Sequence, residues 1–176
     1  MGDGRLFMTS YPITGQMLSI PIYATTQNRR ALGETCAELG LDTNDTDPKI
    51  HVAAHADKTA FSMWVPEIQS ALSPGPHEVA IVGIESHICV TQTTLDLLAN
   101  GHKVYILADG VSSCNKEEVP IALRRLAREG AVVTTSESFL YECMGDAGIA
   151  EFKGIAKLVK ETKESTNEAL QTLCKI

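Results

Sequence analysis

The sequence predicts an α/β protein in which helices cover both faces of a mostly parallel β-sheet, giving three layers. Two observations indicate this class. The runs Val79–Ile84 and Lys103–Ala108 are largely apolar, as in strands that are buried on both faces. A segment with the apolar periodicity of a helix follows each run. Strands that alternate with helices form βαβ units, and the strands of such units are parallel.

The first half of the chain carries weaker signals for individual elements. Residues 5–10 form a short mixed run whose pattern assigns neither a helix nor a strand. The elements predicted after it are a strand, a helix, a short strand and a short helix, at Ile20–Thr26, Arg29–Leu39, Lys49–Ala53 and Pro66–Leu72. The sequence Ser-Pro-Gly-Pro at 73–76 then marks a loop before the first buried strand.

The second half of the chain predicts a regular alternation. A helix at 86–101 separates the two buried strands. The later elements are a helix, a strand, two helices and a loosely attached terminal helix, at Lys116–Gly130, Ala131–Thr135, Ser136–Met144, Ala150–Glu161 and Thr162–Ile176. The whole chain, 1–176, is therefore predicted to be one domain with a three-layer, Rossmann-like fold.

Composition and charge exclude several classes of function. The net charge of −7 and the pI near 5.2 argue against a protein that binds nucleic acid. No apolar stretch is long enough to span a membrane. The cysteines are widely spaced, without a C-x-x-C pair, which fits a reducing compartment. The N-terminus lacks the features of a standard secretory signal, so we expect the cytoplasm or export by another route.

Cys89 is the residue whose position points most directly to chemistry. The strand Val79–Ile84 ends just before it, and Ser86 is a plausible N-cap for the helix that follows. Cys89 is thus expected on the first turn of a helix, at the carboxyl end of a strand, where open α/β sheets bind ligands. A thiolate there gains from the helix dipole and from backbone N–H donors. The commoner alternative is that Cys89 is a small buried apolar residue.

Five segments together resemble the isochorismatase-like cysteine hydrolases, a family that includes nicotinamidases and N-carbamoylsarcosine amidohydrolases. They are Ile20-Pro-Ile-Tyr-Ala-Thr-Thr-Gln, Lys58-Thr-Ala-Phe-Ser-Met, Gly83-Ile-Glu-Ser-His-Ile-Cys-Val, Ala108-Asp-Gly-Val-Ser-Ser and Thr134-Thr-Ser-Glu. The resemblance covers roughly residues 18–160 and is closest to fungal isochorismatase-domain proteins. It implies a hydrolase that acts on a small planar acid, ether or amide without a cofactor.

The resemblance also implies roles for particular residues. Cys89 matches the family nucleophile, and Lys58 matches the lysine whose cation favours the thiolate and orients the substrate. Without that resemblance, Lys58 would be interpreted as a surface lysine in a loop. Ile84–Glu85 matches a non-proline cis peptide that directs the N–H groups of Glu85 and Cys89 at a developing oxyanion.

Apolar residues near these positions are candidates for the substrate pocket. Phe61, Trp64, Ile84 and Ile88 are expected to form its wall. His87 lies two residues before the nucleophile, and it is interpreted as a pocket-lining or structural residue rather than a base.

The sequence departs from the family at its first strand. In the family, that strand ends in an aspartate that serves as an acid or base, and it precedes the Pro-Ile-Tyr strand by a whole helix. Here, Asp3 follows no apolar strand and is interpreted as a frayed terminal residue. The sheet is therefore expected to lack its middle strand, unless Arg5–Thr9 fills that position, and the site is expected to lack its general base. A shortened gene model would explain both.

No metal is expected. Nicotinamidases bind one through an Asp-x-His pattern after the strand that ends here near Gln27, but this chain has Asn28-Arg-Arg there. His51 and His55 lie four residues apart in a predicted strand and loop, a context that does not favour a zinc pair.

Three functions remain open. A thiol nucleophile favours hydrolysis of an amide, as in the nicotinamidase and N-carbamoylsarcosine types. The family also includes enzymes that cleave isochorismate, and relatives in filamentous plant pathogens are taken to interfere with salicylate synthesis in this way. The third possibility is a non-catalytic binding module. A homodimer or homotetramer is expected, because the Val90, Leu97 and Leu98 side chains form an apolar face and the sheet is incomplete.

Overall fold

The computed structural model describes residues 5–8, 18–39, 41 and 52–174. Asp3 and residues 42–51 lie outside the described residues, and the second range includes His51 and the first part of the predicted strand Lys49–Ala53. Within the described ranges, no helix is long and apolar enough to cross a membrane.

The described strands form one six-stranded sheet. They are β1 (Arg5–Met8), β2 (Ile22–Gln27), β3 (Val52–Lys58), β4 (Glu78–Ile84), β5 (Lys103–Ser112) and β6 (Val132–Thr134). The order across the sheet is β3-β2-β1-β4-β5-β6, and each neighbouring pair is parallel. This is the doubly wound order, in which the direction of winding reverses between β1 and β4. The predicted α/β class with a parallel sheet is confirmed.

Helices connect the strands and cover the sheet. They are α1 (Arg29–Leu32), α2 (Pro66–Ala71), α3 (Thr91–Ala99), α4 (Glu118–Arg128), α5 (Ser136–Met144), α6 (Phe152–Glu161) and α7 (Lys163–Leu173). A π-helical turn at Ser86–Val90 leads directly into α3. The predicted helix Arg29–Leu39 is in fact interrupted, because Gly33 takes a φ of +90° and only a short 3-10 turn, Ala37–Leu39, follows.

The first strand corrects an expectation from the sequence. β1 lies in the middle of the sheet, where Phe7 pairs with Ile22 of β2 and Arg5–Met8 pair with Glu78–Ile81 of β4. The sheet therefore does not lack its middle strand, and Arg5–Met8 fill it. Four residues carry too little pattern to be recognised as a strand, because pairing with both neighbours decides their structure.

The core lies on both faces of the sheet. Side chains alternate along a strand, so Val79 and Ile81 pack in one apolar cluster while Ala80 and Val82 pack in the other. Helices α3 and α4 cover the first cluster, and α5 covers the second with Phe139. Since each face of the central strands is buried, their sequences are almost continuously apolar.

Helix α3 and the turn before it face the core of their own chain. Val90 and Leu97 are buried in the first cluster, and Leu98 packs against it. The prediction that these three side chains form an exposed face for oligomerisation is therefore wrong. Amphipathicity shows that a helix buries one face, but the same pattern serves packing against the chain's own sheet or against a second chain.

A bulge in β5 shapes the end of the sheet above the core. Ile81 pairs with Ile106, but Gly83 pairs with Val111, so β5 carries extra residues between these points. Asp109 within the bulge is buried and accepts hydrogen bonds from the backbone N–H and the hydroxyl of Ser136. It thereby fixes the start of α5.

Candidate active site

A cavity of about 450 Å³ lies at the carboxyl ends of β2, β3 and β4. This is the edge of the sheet at which doubly wound folds bind ligands, beside the point where the winding reverses. The lining is mostly apolar, with a few polar groups. The residues that line it are Thr25, Thr26, Gln27, Leu32, Gly33, Glu34, Thr35, Cys36, Leu39, Lys58, Met63, Ile81, Val82, Gly83, Ile84, Cys89, Val90 and Thr93.

Lys58 supplies a buried cation to this cavity. It is the last residue of β3, and it is only 6% exposed. Its Nζ donates hydrogen bonds to Gln27 Oε1 at 2.5 Å, to Ala60 O at 2.9 Å and to Phe61 O at 3.0 Å. Burial lowers the pKa of Lys58, and the nearby Cys89 thiolate opposes that shift. The chain therefore turns back around the ammonium group and holds it at the cavity wall.

Cys89 lines the same cavity from a different element than Lys58 does. It lies in the π-helical turn between β4 and α3, and it is half-buried. Val90 N–H donates to Glu85 O at 3.2 Å, so the turn is wider than an α-helical one. Ile88 N–H also donates to Glu85 O, at 3.1 Å, and Ser86 N–H donates to Ser113 Oγ, also at 3.1 Å.

One hydrogen bond connects the two candidate catalytic segments. Met63 N–H, in the loop after Lys58, donates to Thr93 Oγ1 of α3 at 2.9 Å. Both partners are buried and both line the cavity. The bond therefore fixes the loop that wraps Lys58 against the helix that follows Cys89.

The peptide bond Ile84–Glu85 is cis, at the position that the resemblance implied. Ile84 lines the cavity and leaves 68% of its surface exposed. Glu85 points to the loop after β5, where its Oε2 accepts from the Cys114 N–H at 2.6 Å. The role of the Glu85 and Cys89 N–H groups towards an oxyanion stays a prediction.

Ser86 has a different role from the predicted N-cap. It is fully buried in the π-helical turn, and its Oγ lies 2.5 Å from Ser113 Oγ. The residue at the N-cap position is Glu85, which makes no capping bond with its side chain. The turn is thus anchored to the loop after β5 and not capped by its own first residue.

The structure places Phe61, Trp64, His87 and Ile88 outside the lining of this cavity. Phe61 contributes its carbonyl to Lys58 while its side chain is exposed. Trp64 packs edge-on against the His102 ring at 5.0 Å, which turns it towards the core cluster. His87 Nδ1 lies 3.0 Å from the Ser113 hydroxyl, and Ile88 is half-buried in the turn.

A second part of the cavity lining was not predicted from the sequence. Thr25, Thr26 and Gln27 line the cavity from the end of β2, and residues 33–36 line it from the loop after α1. Thr26 Oγ1 lies 2.6 Å from Thr35 Oγ1, which fixes this loop to the strand. A detectable signal existed for Gln27, because it lies at the carboxyl end of a predicted strand, where parallel sheets bind ligands.

The described residues include side chains of the types that bind metal ions. At the position where nicotinamidases carry their Asp-x-His pattern, Asn28 N–H donates to Lys58 O at 2.8 Å. Elsewhere, one group of three side chains brings carboxylate, imidazole and thiol atoms within 4.8 Å of one another, and it consists of Glu85, His87 and Cys114.

Comparisons with known proteins agree with this arrangement. The family model described as the Isochorismatase domain matches residues 14–138. The chain is 40% identical over 149 residues to the Secreted isochorismatase effector Isc1 of Phytophthora sojae, covering 83% of this chain and 69% of that protein. It is 39% identical over 147 residues to Isochorismatase domain-containing protein 1 of Danio rerio, covering 82% of this chain and 49% of the relative. The chain thus spans about half the length of that fish protein.

Solved structures share the fold. The MAR1 ribonuclease from Caenorhabditis elegans superposes with a TM-score of 0.75 at 28% identity, covering 89% of each chain. A nicotinamidase from Staphylococcus aureus superposes with a TM-score of 0.54 at 19% identity, covering 76% of this chain and all of that one. The second likeness shows the fold alone. With its family model, its relatives and its fold in agreement, this chain belongs to the isochorismatase family.

Proposed function

We propose that this chain is a hydrolase of a small planar acid or amide, with Cys89 as the nucleophile. One observation carries the proposal: a single cavity is lined by both the half-buried Cys89 thiol and the buried Lys58 ammonium group. A cysteine nucleophile needs a nearby cation or helix N-terminus, and Cys89 has both.

In amide hydrolysis, the Cys89 sulfur adds to the carbonyl carbon of the substrate. The carbon–nitrogen bond then breaks, and the nitrogen leaves with the proton that the thiol has given up. Water cleaves the resulting thioester, which releases the acid and restores the thiol. Lys58 stabilises the negative charge that develops on the substrate.

Isochorismate is the second candidate substrate. Its support is the 40% identity to a relative that is named an isochorismatase effector. Cleavage of this vinyl ether requires an acid that protonates the enol carbon, and the family aspartate would supply it. Among the described residues that line the cavity, the carboxylate is Glu34, which is exposed and forms an ion pair with Arg29 at 2.9 Å. The thiol chemistry therefore favours the amide.

A non-catalytic binding module is the third possibility. Its main support in the sequence was the missing first strand, and β1 now occupies that position.

RNA is disfavoured as a substrate although one structural neighbour is named a ribonuclease, because this chain carries a net charge of −7.

A turnover screen tests the proposal. Isochorismate, nicotinamide and carbamoyl amides are offered to the wild type, to Cys89→Ala and to Cys174→Ala. Cys174 is also half-buried, but it packs against the core away from the cavity, so it is a matched control. We expect hydrolysis that disappears in Cys89→Ala and persists in Cys174→Ala. Equal turnover by the wild type and Cys89→Ala would contradict the assignment.

We further propose that residues 1–176 act as one domain and form a homodimer or homotetramer in the cytoplasm, or after export without a standard signal. Two large apolar side chains at the rim of the cavity, Leu32 and Ile84, are exposed in the isolated chain, and association would cover them. Light scattering at micromolar concentration tests the association, and a stable monomer would contradict it.

A further inference from the structure

A second cluster of reactive side chains lies beside the nucleophile segment and outside the cavity. His87 comes from the π-helical turn after β4, Glu85 is the residue just before that turn, and Cys114 comes from the loop after β5. Their ligand atoms all lie within 4.8 Å of one another. Glu85 and His87 are half-buried, and Cys114 is exposed.

The cluster combines the ligand types that zinc prefers. Zinc binds thiolate, imidazole and carboxylate at distances of about 2.0–2.3 Å, so its ligand atoms stand about 3.5 Å apart in a tetrahedral site. The three ligand atoms lie within 4.8 Å of one another, so each separation exceeds that of a tetrahedral site by at most about 1.3 Å. Rotation of the exposed Cys114 side chain can bring its sulfur closer to the other two ligand atoms. Calcium and magnesium prefer oxygen ligands, and the thiol disfavours them.

Hydrogen bonds already orient two of the three side chains. The Cys114 N–H donates to Glu85 Oε2 at 2.6 Å, and the second carboxylate oxygen remains for an ion. Ser113 Oγ lies 3.0 Å from His87 Nδ1 and 2.5 Å from Ser86 Oγ, so a hydrogen bond at Nδ1 orients the imidazole. Partners of this kind fix the orientation of ligands in metal sites.

We propose that Glu85, His87 and Cys114 form a binding site for one zinc-class divalent cation, with a fourth position open to water. This proposal does not depend on Cys89 being catalytic. The ion would join the loop after β5 to the turn that carries Cys89, and it would stabilise that turn in the conformation seen here. A site of three protein ligands and one water has the composition of zinc sites that keep one coordination position open.

Binding of Co²⁺ and Zn²⁺ to the full chain tests the site. Co²⁺ bound to a thiolate absorbs through sulfur-to-metal charge transfer, and competition with a chelating dye gives the Zn²⁺ affinity. We expect one ion per chain with a thiolate band, and a loss of affinity of more than tenfold in Cys114→Ser and in His87→Gln. Ser113→Ala retains every ligand and is expected to weaken binding by about 10–100-fold, as for orienting partners in general.

Two other thiols serve as controls. Cys36 is exposed like Cys114, so Cys36→Ser should leave both the band and the affinity unchanged. Cys89→Ala should also leave them unchanged, which separates this site from binding at the nucleophile. The proposal is overturned if no saturable binding occurs. It is also overturned if binding survives in Cys114→Ser but disappears in Cys89→Ala.

Discussion

Replacing Lys58 by methionine removes the buried ammonium group from the cavity while keeping a side chain of similar length. Nζ makes three hydrogen bonds, to Gln27 and to the carbonyls of Ala60 and Phe61. The substitution therefore tests whether the cation acts in the reaction or only holds its own loop in place.

The expected magnitudes separate these two roles. Three hydrogen bonds from a charged donor contribute roughly 1.5–3 kcal/mol each. Against this, burying the ammonium costs several kcal/mol, and methionine does not carry that cost. These contributions oppose each other, so we expect the free energy of unfolding to change by about 2 kcal/mol or less. Loss of a group that stabilises developing negative charge lowers turnover by about 10²–10³-fold.

The assay measures turnover and denaturant unfolding on the same preparations. Lys103→Met is the matched control, because Lys103 is exposed at the other end of the sheet and pairs with Glu78 at 3.3 Å. Its activity should equal that of the wild type. Wild-type turnover in Lys58→Met would refute the reasoning. So would an activity loss that is fully explained by unfolded protein.

Further results are expected at three positions, Lys58, Asp109 and Gly110. An NMR titration should give Lys58 a pKa below its ordinary value of 10.5, and Cys89→Ala should lower it further, because the thiolate opposes the effect of burial. Between the lowered pKa of the folded state and 10.5, Lys58 binds more protons in the unfolded chain than in the folded chain. The free energy of unfolding therefore rises with pH across this range. Asp109→Asn should cost about 2 kcal/mol of unfolding free energy, because the buried carboxylate accepts two hydrogen bonds. Gly110→Ala should cost about 1–3 kcal/mol, because the added carbon would lie 2.6 Å from Val82 Cγ1.

Each of these results has a control. Cys114→Ala should leave the Lys58 pKa unchanged, because the shift comes from burial and Cys89 alone. In thermal unfolding, Val82→Ala combined with Gly110→Ala should cost less than the sum of the two single changes, because the shorter side chain removes the clash. Strict additivity would show that the 2.6 Å contact is not the cause. A wild-type unfolding free energy for Asp109→Asn would show that its hydrogen bonds add nothing.

Local pattern was enough to predict the elements that present Cys89. Val79–Ile84 is a central strand, and its apolar run follows directly from burial on both faces. Gly110 and Asp109 extend β5 beyond the predicted end, because a bulge adds residues that pair only after a shift of register.

The walls of the cavity depend on contacts between distant segments. Trp64 was expected in the pocket, but a ring contact with His102, 38 residues further along the chain, turns it to the core. Gln27 and Thr26 reach the cavity because β2 and β3 are neighbours, a fact of topology that neither strand's own sequence contains. Likewise, the four residues of β1 form a strand because they pair with β2 and β4, and their own sequence carries too little pattern to show this.

The most direct test of the central claim is mass spectrometry of the intact protein during turnover of an amide or an activated ester. We predict transient addition of one acyl group, located by peptide mapping at Cys89 and absent from the other four cysteines. Lys58→Met should accumulate this adduct far more slowly. An adduct spread evenly over all five thiols, or turnover with no adduct at Cys89, would contradict the account.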